Sequence, residues 1–394
     1  MTTIELPYHA DRAELRAAVR EFCSAYTLSY WDGCDLSKSF PEKFYREISD
    51  AGYLGAMLPE QYGGGGGTLS DLAAVLEEVA ASGGGLNAAS TVHIPLLCTP
   101  TLLAFGTDEQ RAAILPAIAR GELYVTFGVT EPDAGTDTTQ ISTKAASDGN
   151  GGFVISGTKV WNSGASRGDK ILVLTRTSRP SEGERPGRGL TLFLTDLKAD
   201  SIDIRPIPKI GRNAVDSCEV TFREHPVSAG DVVGEVGQGF YHLLHSLNGE
   251  RLLIAAENVG MGRWALARAS GYARERVVFG RPIGKNQAVQ HPLADSYLKL
   301  LAASEVLREA LASYERDGAR AAGTLANAAK YLASEAAFAC TDNAMQTFGG
   351  YSYAREYHIG RLWVEARLQR IAPVNNQMVL NYIAERVLDL PRSY

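Results

Sequence analysis

Apolar residues recur at three- and four-residue spacing through four stretches of the first third of the chain: "RAELRAAVREFCSAYT", "PEKFYREISDAGYLGAM", "LSDLAAVLEEVAASGG" and "DEQRAAILPAIARGE". That period predicts amphipathic helices and a helical domain over residues 1–122. Two helix starts are marked: Pro41 in a first-turn position, and Thr107 followed by Gln110 as a capping box. From 123 to 234 the pattern shortens to β-rich runs, "FVISGTKVW", "KILVLTRT", "GLTLFLTDL", "SIDIRPI" and "SCEVTFREHPV", separated by Gly, Pro, Asp and Ser clusters. These predict a small antiparallel sheet domain. The polar "SRPSEGERPGRG" between two of the strands predicts a mobile surface loop. From 235 to 394 the helical period returns in longer stretches, among them "FYHLLHSLNGERLLIAAENVGMGRWALARASGYARER" and "LADSYLKLLAASEVLREALASYERD". Helices of that length fit an antiparallel bundle. The predicted class is mostly α with a central β domain.

Composition removes several function classes. Hydrophobic residues make up 45% and charged residues 21%, and no uninterrupted apolar run approaches the roughly twenty residues of a membrane helix. No membrane span is expected. The start, "MTTIELPYHADRAELR", has neither a basic segment with an apolar core nor an Arg-rich amphipathic pattern, so a cytoplasmic protein is expected. Cys23, Cys34, Cys98, Cys218 and Cys340 are odd in number and never form C-x-x-C, which argues against a disulfide framework or zinc cage and predicts buried thiols. His242 and His245 stand at i, i+3 without a third ligand at zinc-like spacing, so no metal is expected. The net charge is -6 with no Lys/Arg stripe interleaved with aromatics, and a nucleic-acid partner is not expected.

Three stretches invite a chemical reading. "YGGGGGT" exposes backbone N–H groups that suit a phosphate, but it matches neither G-x-G-x-x-G nor a Walker pattern and reads as a flexible interhelix turn. "YVTFGVTEPDAGTDTTQ" is a strand ending in a loop rich in Thr, Gly and Asp, able to aim hydroxyls and amides at an electron-rich ring or a phosphate. "GTKVWNSGAS" places Trp161 and Ser163 on one side of a strand, because alternate residues share a face. An indole and a hydroxyl there can flank an aromatic cofactor.

The chain resembles the acyl-CoA dehydrogenases over nearly its whole length. The matching stretches are "PEQYGGGGG", "FGVTEPDAGTD", "GTKVWNSGAS", "GEVGQGF", "RERVVFGRPIGKNQAVQ" and "MQTFGGYSYAREY", in the family's order and approximate spacing. The resemblance implies an N-terminal helical domain, a middle antiparallel β domain, a C-terminal four-helix bundle and an FAD cofactor. Phe127, Val129 and Thr130 resemble the strand along the flavin, with Gly135 and Thr136 where flavin and the pantetheine arm of the substrate meet. Trp161 and Ser163 resemble the pair that covers the isoalloxazine and hydrogen-bonds near N5. Arg276, Phe279, Gln287, Gln346, Gly349 and Gly350 resemble the pyrophosphate and adenosine contacts, which the family shares across a subunit boundary. A homo-oligomer is implied, a dimer or a dimer of dimers. The bottom-up logic agrees: a guanidinium offers pyrophosphate a rigid fork, and two glycines allow close backbone approach.

The implied reaction removes an α-proton from an acyl thioester while a β-hydride goes to flavin N5, so a carboxylate must oppose the ring. Most family members supply it from a C-terminal "EGT" pattern. Here the matching stretch is "RIAPVNNQM", and Pro373 stands in that place without a carboxylate or an N–H. Part of the family carries its base on the bundle helix just before an Arg, and "LNGERLLIAA" has that arrangement. Glu250 is therefore the expected base, with desolvation against "LLIAA" raising its pKa. The alternative is a surface Glu paired with a cation. Asn248 and Arg251 resemble residues that hold the thioester arm, and Asn375 and Gln377 are candidate cofactor contacts in the rebuilt loop. Glu257, roughly 10 Å further along the helix, is the second candidate base.

Three functions remain open at this point. The first is an FAD-dependent dehydrogenase of an acyl thioester on CoA or a carrier protein, passing electrons to an electron-transfer flavoprotein. The second is a base-free N-oxidising flavin oxygenase on the same fold, and the third a non-catalytic flavoprotein subunit.

Overall fold

The computed structural model describes residues 4–393. Its first part holds α1 (Ala13–Cys23), α2 (Leu28–Ser37), α3 (Glu42–Asp50), α4 (Leu69–Val79), α5 (Gly85–His93), α6 (Thr99–Phe105) and α7 (Asp108–Ala119). Thr107 Oγ1 accepts from Gln110 N at 3.2 Å and Gln110 Oε1 accepts from Thr107 N at 3.0 Å, the expected reciprocal cap on α7. Pro41 sits one place earlier than expected, at the N-cap of α3.

The apolar spacing gives no sign of α2, α5 or α6. All nine residues of α5 are buried, so no polar face is left to mark a stripe. The nearly continuous helical run from Leu69 to Phe105 is long and apolar enough to cross a membrane by composition, yet 67% of its most apolar window is buried inside the protein. It is a core element. Gly83 (φ 93°) and Gly85 (φ 57°) break this run between α4 and α5. A Cβ on Gly85 would lie 2.3 Å from Glu365 Oε2, so glycine is what lets that carboxylate accept from Leu86 N at 2.6 Å and cap α5.

The run Gly63–Gly67 is packed rather than flexible. The amides of Gly65, Gly66 and Gly67 donate to the carbonyls of Gly55, Leu58 and Ala56, and a Cβ on Gly64 would lie 2.1 Å from Leu58 O. Those N–H groups are committed to the chain itself, which removes the phosphate-cradle reading and replaces the expected loose turn with a close backbone approach.

The sheet contains β1 (Val125–Gly128), β2 (Lys144–Ser147), β3 (Phe153–Ser163), β4 (Lys170–Arg176), β5 (Leu190–Asp196), β6 (Ile202–Pro206), β7 (Ser217–Val227) and β8 (Val232–Val233). Their order is β6-β7-β3-β2-β4-β5-β8, with β1 also on β4. The ladders are antiparallel except at β4, which takes β1 and the end of β2 in parallel. The β2–β3 hairpin supplies the crossover that a parallel neighbour needs. Alternation then gives the sheet two apolar faces: Leu172, Leu174, Leu192 and Leu194 join the helices in the main core, and Ile171, Val173 and Phe193 form a second one. Residues 178–189 run mostly over the surface.

The last part holds α8 (Gly239–Glu275), a small hairpin β9 (Val277–Val278) and β10 (Arg281–Pro282), α9 (Gln287–Asp317), α10 (Gly323–Phe348), α11 (Ile359–Leu368) and α12 (Asn376–Arg386). The long helices α8, α9 and α10 pack together with the shorter α11 as a fourth, and α12 lies on α10. Four of the five thiols are buried, and Cys34 is partly exposed.

A buried charge cluster ties α8 to the first part. Arg263 reaches Glu77 at 2.8 Å and Glu78 at 2.9 Å, Arg16 reaches them at 3.0 and 3.1 Å, and His9 joins Glu77 at 2.8 Å. Burial pushes Glu77 up, but Arg16 and Arg263 outweigh it and leave its carboxyl well below the ordinary value. His9, Glu77 and Glu78 are close enough to hold a metal ion, but the guanidiniums of Arg16, Arg263 and Arg20, the last at 3.2 Å from Glu78, already act as the cations. Arg263→Met removes the one fully buried arginine from two buried carboxylates, leaving them Arg16 and the partly exposed Arg20, and should destabilise the fold by about 3–5 kcal/mol. A urea midpoint equal to wild type would remove the cluster from the account of how α8 is held.

Candidate functional site

A cavity of about 390 Å³ opens between α4, α5, α6 and the first turns of α8. Leu72, Leu96, Leu97, Leu243 and Leu253 give it apolar walls, and Glu250 and Phe127 both line it. Glu250 keeps some accessible surface, and the cavity is where that surface lies. Its carboxylate has no hydrogen bond among the described residues. Burial raises its pKa, an effect that His93 and Arg251 offset and Glu257 adds to. The alternative of a surface Glu paired with a cation does not describe this side chain.

Glu257 is occupied elsewhere. It is buried, accepts from His93 Nδ1 at 2.7 Å and from Gln369 Nε2 at 3.3 Å, and does not line the cavity. His93 does line it, with Nε2 buried and lacking a hydrogen-bond partner among the described residues. Nothing in the sequence around it marks this histidine. His242 stacks on Phe105 at 4.2 Å and His245 meets the same ring edge-on, so the i, i+3 pair packs one aromatic.

The residues expected along the flavin gather at the edge of the sheet. Phe127 is on β1, and Val129 and Thr130 follow it with their carbonyls accepting from Lys159 Nζ at 3.0 Å and Val160 N at 2.9 Å. Gly135 and Thr136 are exposed in the next loop, and a Cβ on Gly135 would meet nothing within 4 Å. The alternation argument for Trp161 and Ser163 does not hold. A bulge shifts the β3–β7 register between Lys159 and Asn162, and Trp161 has φ 64°. Its indole stands 58% exposed, a strained backbone holding a large apolar ring open to contact. Ser163 Oγ accepts from Arg212 Nη2 at 2.6 Å. Arg212 also donates to Ser90 and Ser217, and its buried Nε has no partner among the described residues. Sequence reasoning missed this arginine, because nothing local sets it apart from a loop cation.

The rebuilt loop is clamped from below. Lys330, fully buried on α10, donates to Val374 O at 2.6 Å and Asn376 Oδ1 at 2.8 Å, and burial, with Arg251 nearby, lowers its pKa to about 8. Asn375 caps α12 by accepting from Met378 N at 2.9 Å, and its amide donates to Thr136 Oγ1 at 3.3 Å. The loop thereby touches the turn expected to meet both flavin and substrate. Gln377 is exposed beside it. Asn248 and Arg251 do not line the cavity: Asn248 donates to Ala319 O at 2.8 Å and accepts from Arg251 Nη1 at 2.5 Å. They adjoin Lys330 and Tyr382, on the side of the rebuilt loop.

A second cavity of about 490 Å³ lies at the far end of α8, lined by Arg276, Tyr272, Phe348, Gly349, Gly350 and Tyr351 among others. Gly349 and Gly350 leave open space where a side chain would be, and Arg276 lies 5.6 Å from the Tyr351 ring. Gln287 and Gln346 are exposed but do not line this cavity. Phe279 is fully exposed at the hairpin tip, where it and Gly280 both have positive φ. These features fit a dinucleotide: an exposed indole and hydroxyls on the strands and loop around β1, whose Phe127 lines the first cavity, and a guanidinium with side-chain-free backbone at the second.

Comparison with known proteins agrees. The patterns described as acyl-CoA dehydrogenase N-terminal, middle and C-terminal domains match residues 9–122, 126–225 and 237–388. "Acyl-CoA dehydrogenase fadE12" of Mycobacterium bovis is 35% identical over 100% of both chains. Butyryl-CoA dehydrogenase from Megasphaera elsdenii superposes with TM-score 0.88 at 27% identity, covering 98% of this chain and 100% of that one. A glutaryl-CoA dehydrogenase from Mycobacterium smegmatis, solved with FADH2, shares the fold with TM-score 0.89 at 22% identity, covering 98% and 96%. The cofactor is FAD. Gly350→Val should leave the melting temperature of the apoprotein unchanged but weaken FAD binding by about tenfold or more, ~1.4 kcal/mol. Wild-type flavin retention in that variant would place the adenosine end elsewhere.

Proposed function

The chain belongs to the acyl-CoA dehydrogenase family, and from that premise we propose that it introduces an α,β double bond into an acyl thioester with Glu250 as the base. One observation carries the reading: a carboxylate without a hydrogen bond among the described residues lines a largely apolar cavity that also reaches Phe127 on the flavin strand. Desolvation makes such a carboxylate a better proton acceptor near neutral pH. FAD, when bound, supplies the acceptor for the two electrons and the β-hydrogen. The chain does the rest. Leucines of α4, α8 and the turn after α5 exclude water from the acyl group, and α8 holds the Glu250 carboxylate for the α-proton.

Pro373 offers no N–H to the thioester carbonyl. The Asn375 amide, fixed by its cap on α12 and already on Thr136, is the donor we assign to that task. The cavity volume suits an apolar acyl group of modest size, and the full-length similarity to a protein named as an acyl-CoA dehydrogenase favours CoA over a carrier protein as its handle. An electron-transfer flavoprotein is the acceptor proposed on family grounds.

The two halves of the FAD site lie far apart in one chain. Glu250 and Arg276 are separated along α8 by roughly 39 Å at the helical rise, a span beyond one dinucleotide. We therefore place the adenosine end of each FAD on a neighbouring copy, with the bare Phe279 and the adjacent Val277 and Val278 at the contact. Phe279→Glu should yield smaller species by light scattering and lose flavin in parallel. A full-size assembly without flavin loss would remove this hairpin from the interface.

Glu250→Gln should slow anaerobic flavin bleaching by acyl-CoA by about 10²–10⁴-fold with flavin content unchanged. Full bleaching by the variant excludes Glu250 as base. Flavin reduction that needs an external reductant, followed by O₂ uptake, would instead favour the N-oxidising oxygenase.

A further inference from the structure

Proton abstraction by Glu250 does not account for the pair beside it. His93 ends α5 with its ring buried, and Glu257 stands seven residues after Glu250 on nearly the same face of α8. The 2.7 Å contact from His93 Nδ1 to Glu257 Oε1 fixes the ring, and Gln369 Nε2 steadies the other oxygen at 3.3 Å. The remaining nitrogen, Nε2, is buried, lacks a hydrogen-bond partner among the described residues, and belongs to a ring that lines the same cavity as Glu250. We propose that His93, clamped by Glu257, is a positioning residue that stands as a fixed cation beside Glu250 and keeps the base ionised inside the apolar cavity. The proposal rests on Glu250 being the base.

The charges around the ring support this assignment. Two carboxylates, Glu250 and Glu257, face His93 from α8, and each favours its protonated form. Burial works against that form, and the carboxylates outweigh it, leaving the His93 pKa above its ordinary value. The nearby arginines are engaged elsewhere: Arg251 with Asn248, and Arg212, which senses Glu257, with Ser90, Ser163 and Ser217. Tyr314 and His245 also line the cavity, Tyr314 with its hydroxyl pKa raised by burial and His245 packed edge-on against Phe105. An imidazolium has donors on both nitrogens, so one proton goes to Glu257 and the other sits on the buried Nε2, which has no acceptor among the described residues. That cation lowers the pKa of Glu250, which apolar burial alone would raise further.

The sign of the test follows. Glu250 accepts a proton only when ionised, so the rate rises with pH through its pKa, and loss of the cation must move that acid limb to higher pH. The experiment is the pH profile of anaerobic flavin reduction in the holoenzyme, with butyryl-, isovaleryl- or octanoyl-CoA, whichever reduces the wild type. His93→Gln should shift the acid limb upward by about one pH unit and recover most of the rate at alkaline pH. A rate lowered equally at every pH, with the limb unmoved, would mean a packing role and overturn the proposal. Glu250→Gln runs beside it: persistence of flavin reduction there sinks the base assignment itself, whatever His93→Gln does. Should His93→Gln fail to fold, the wild-type profile decides, because a base with a fixed cation beside it has its limb at or below about pH 7. A limb above that value would overturn the proposal.

Discussion

A carboxylate held against leucines without a hydrogen bond is unfavourable, and it persists only where its surroundings cannot relax away from it. That constraint organises the molecule around α8. The helix carries Glu250 near its start, Glu257 two turns later against His93 and Gln369, and Arg263 further on against Glu77 and Glu78. Between them Gly260 brings α8 so near α4 that a Cβ there would lie 2.2 Å from Glu77 O. Each anchor joins α8 to a neighbouring element and stiffens the stretch that carries Glu250, and His93, which pairs with Glu257, itself lines the cavity. The cavity walls are mostly leucine, and burial there raises the pKa of the Glu250 carboxylate while His93 and Arg251 hold it down.

The rebuilt loop follows the same logic at a second place. Proline removed a backbone donor, and the structure surrounds the gap with fixed groups: Lys330 beneath Val374 and Asn376, and Asn375 between the start of α12 and Thr136. A fully buried lysine is costly unless its hydrogen bonds are made, so Lys330 holds the loop only in this arrangement. Asn248 and Arg251 belong to that polar cluster rather than to the acyl wall. Their place beside Glu250 in the sequence conceals this, because neighbours along a helix point in directions about 100° apart.

What the sequence could express was local. The β7 run "SCEVTFREHPV" coincides with Ser217–Val227, and the Thr107–Gln110 box marks the start of α7, because pleat and cap are written in adjacent residues. The α5 helix was illegible because a helix buried on every side has no stripe, and His93 was hidden with it. Strict alternation predicts the face of Trp161 but a bulge cancels it, and the parallel pairing at β4 depends on strands distant in the chain. The family stretches mark most of the FAD residues as candidates, and the separate stretch "LNGERLLIAA" marks Glu250. Only the fold brings Glu250 and Phe127 to one cavity, and the straight run of α8 carries Arg276 roughly 39 Å from Glu250.

That separation ties cofactor to assembly. If each FAD bridges two copies, neither half-site alone has the full set of contacts, and the dinucleotide binds the associated state better than the free chain. Mass action then makes FAD a stabiliser of the interface, since a ligand favours whichever state it binds more tightly. The exposed Trp161 and Phe279 acquire a common reason under this arrangement. Each holds a large apolar ring outward on a backbone with positive φ, an arrangement that solvent does not favour and that a cofactor or a second chain does.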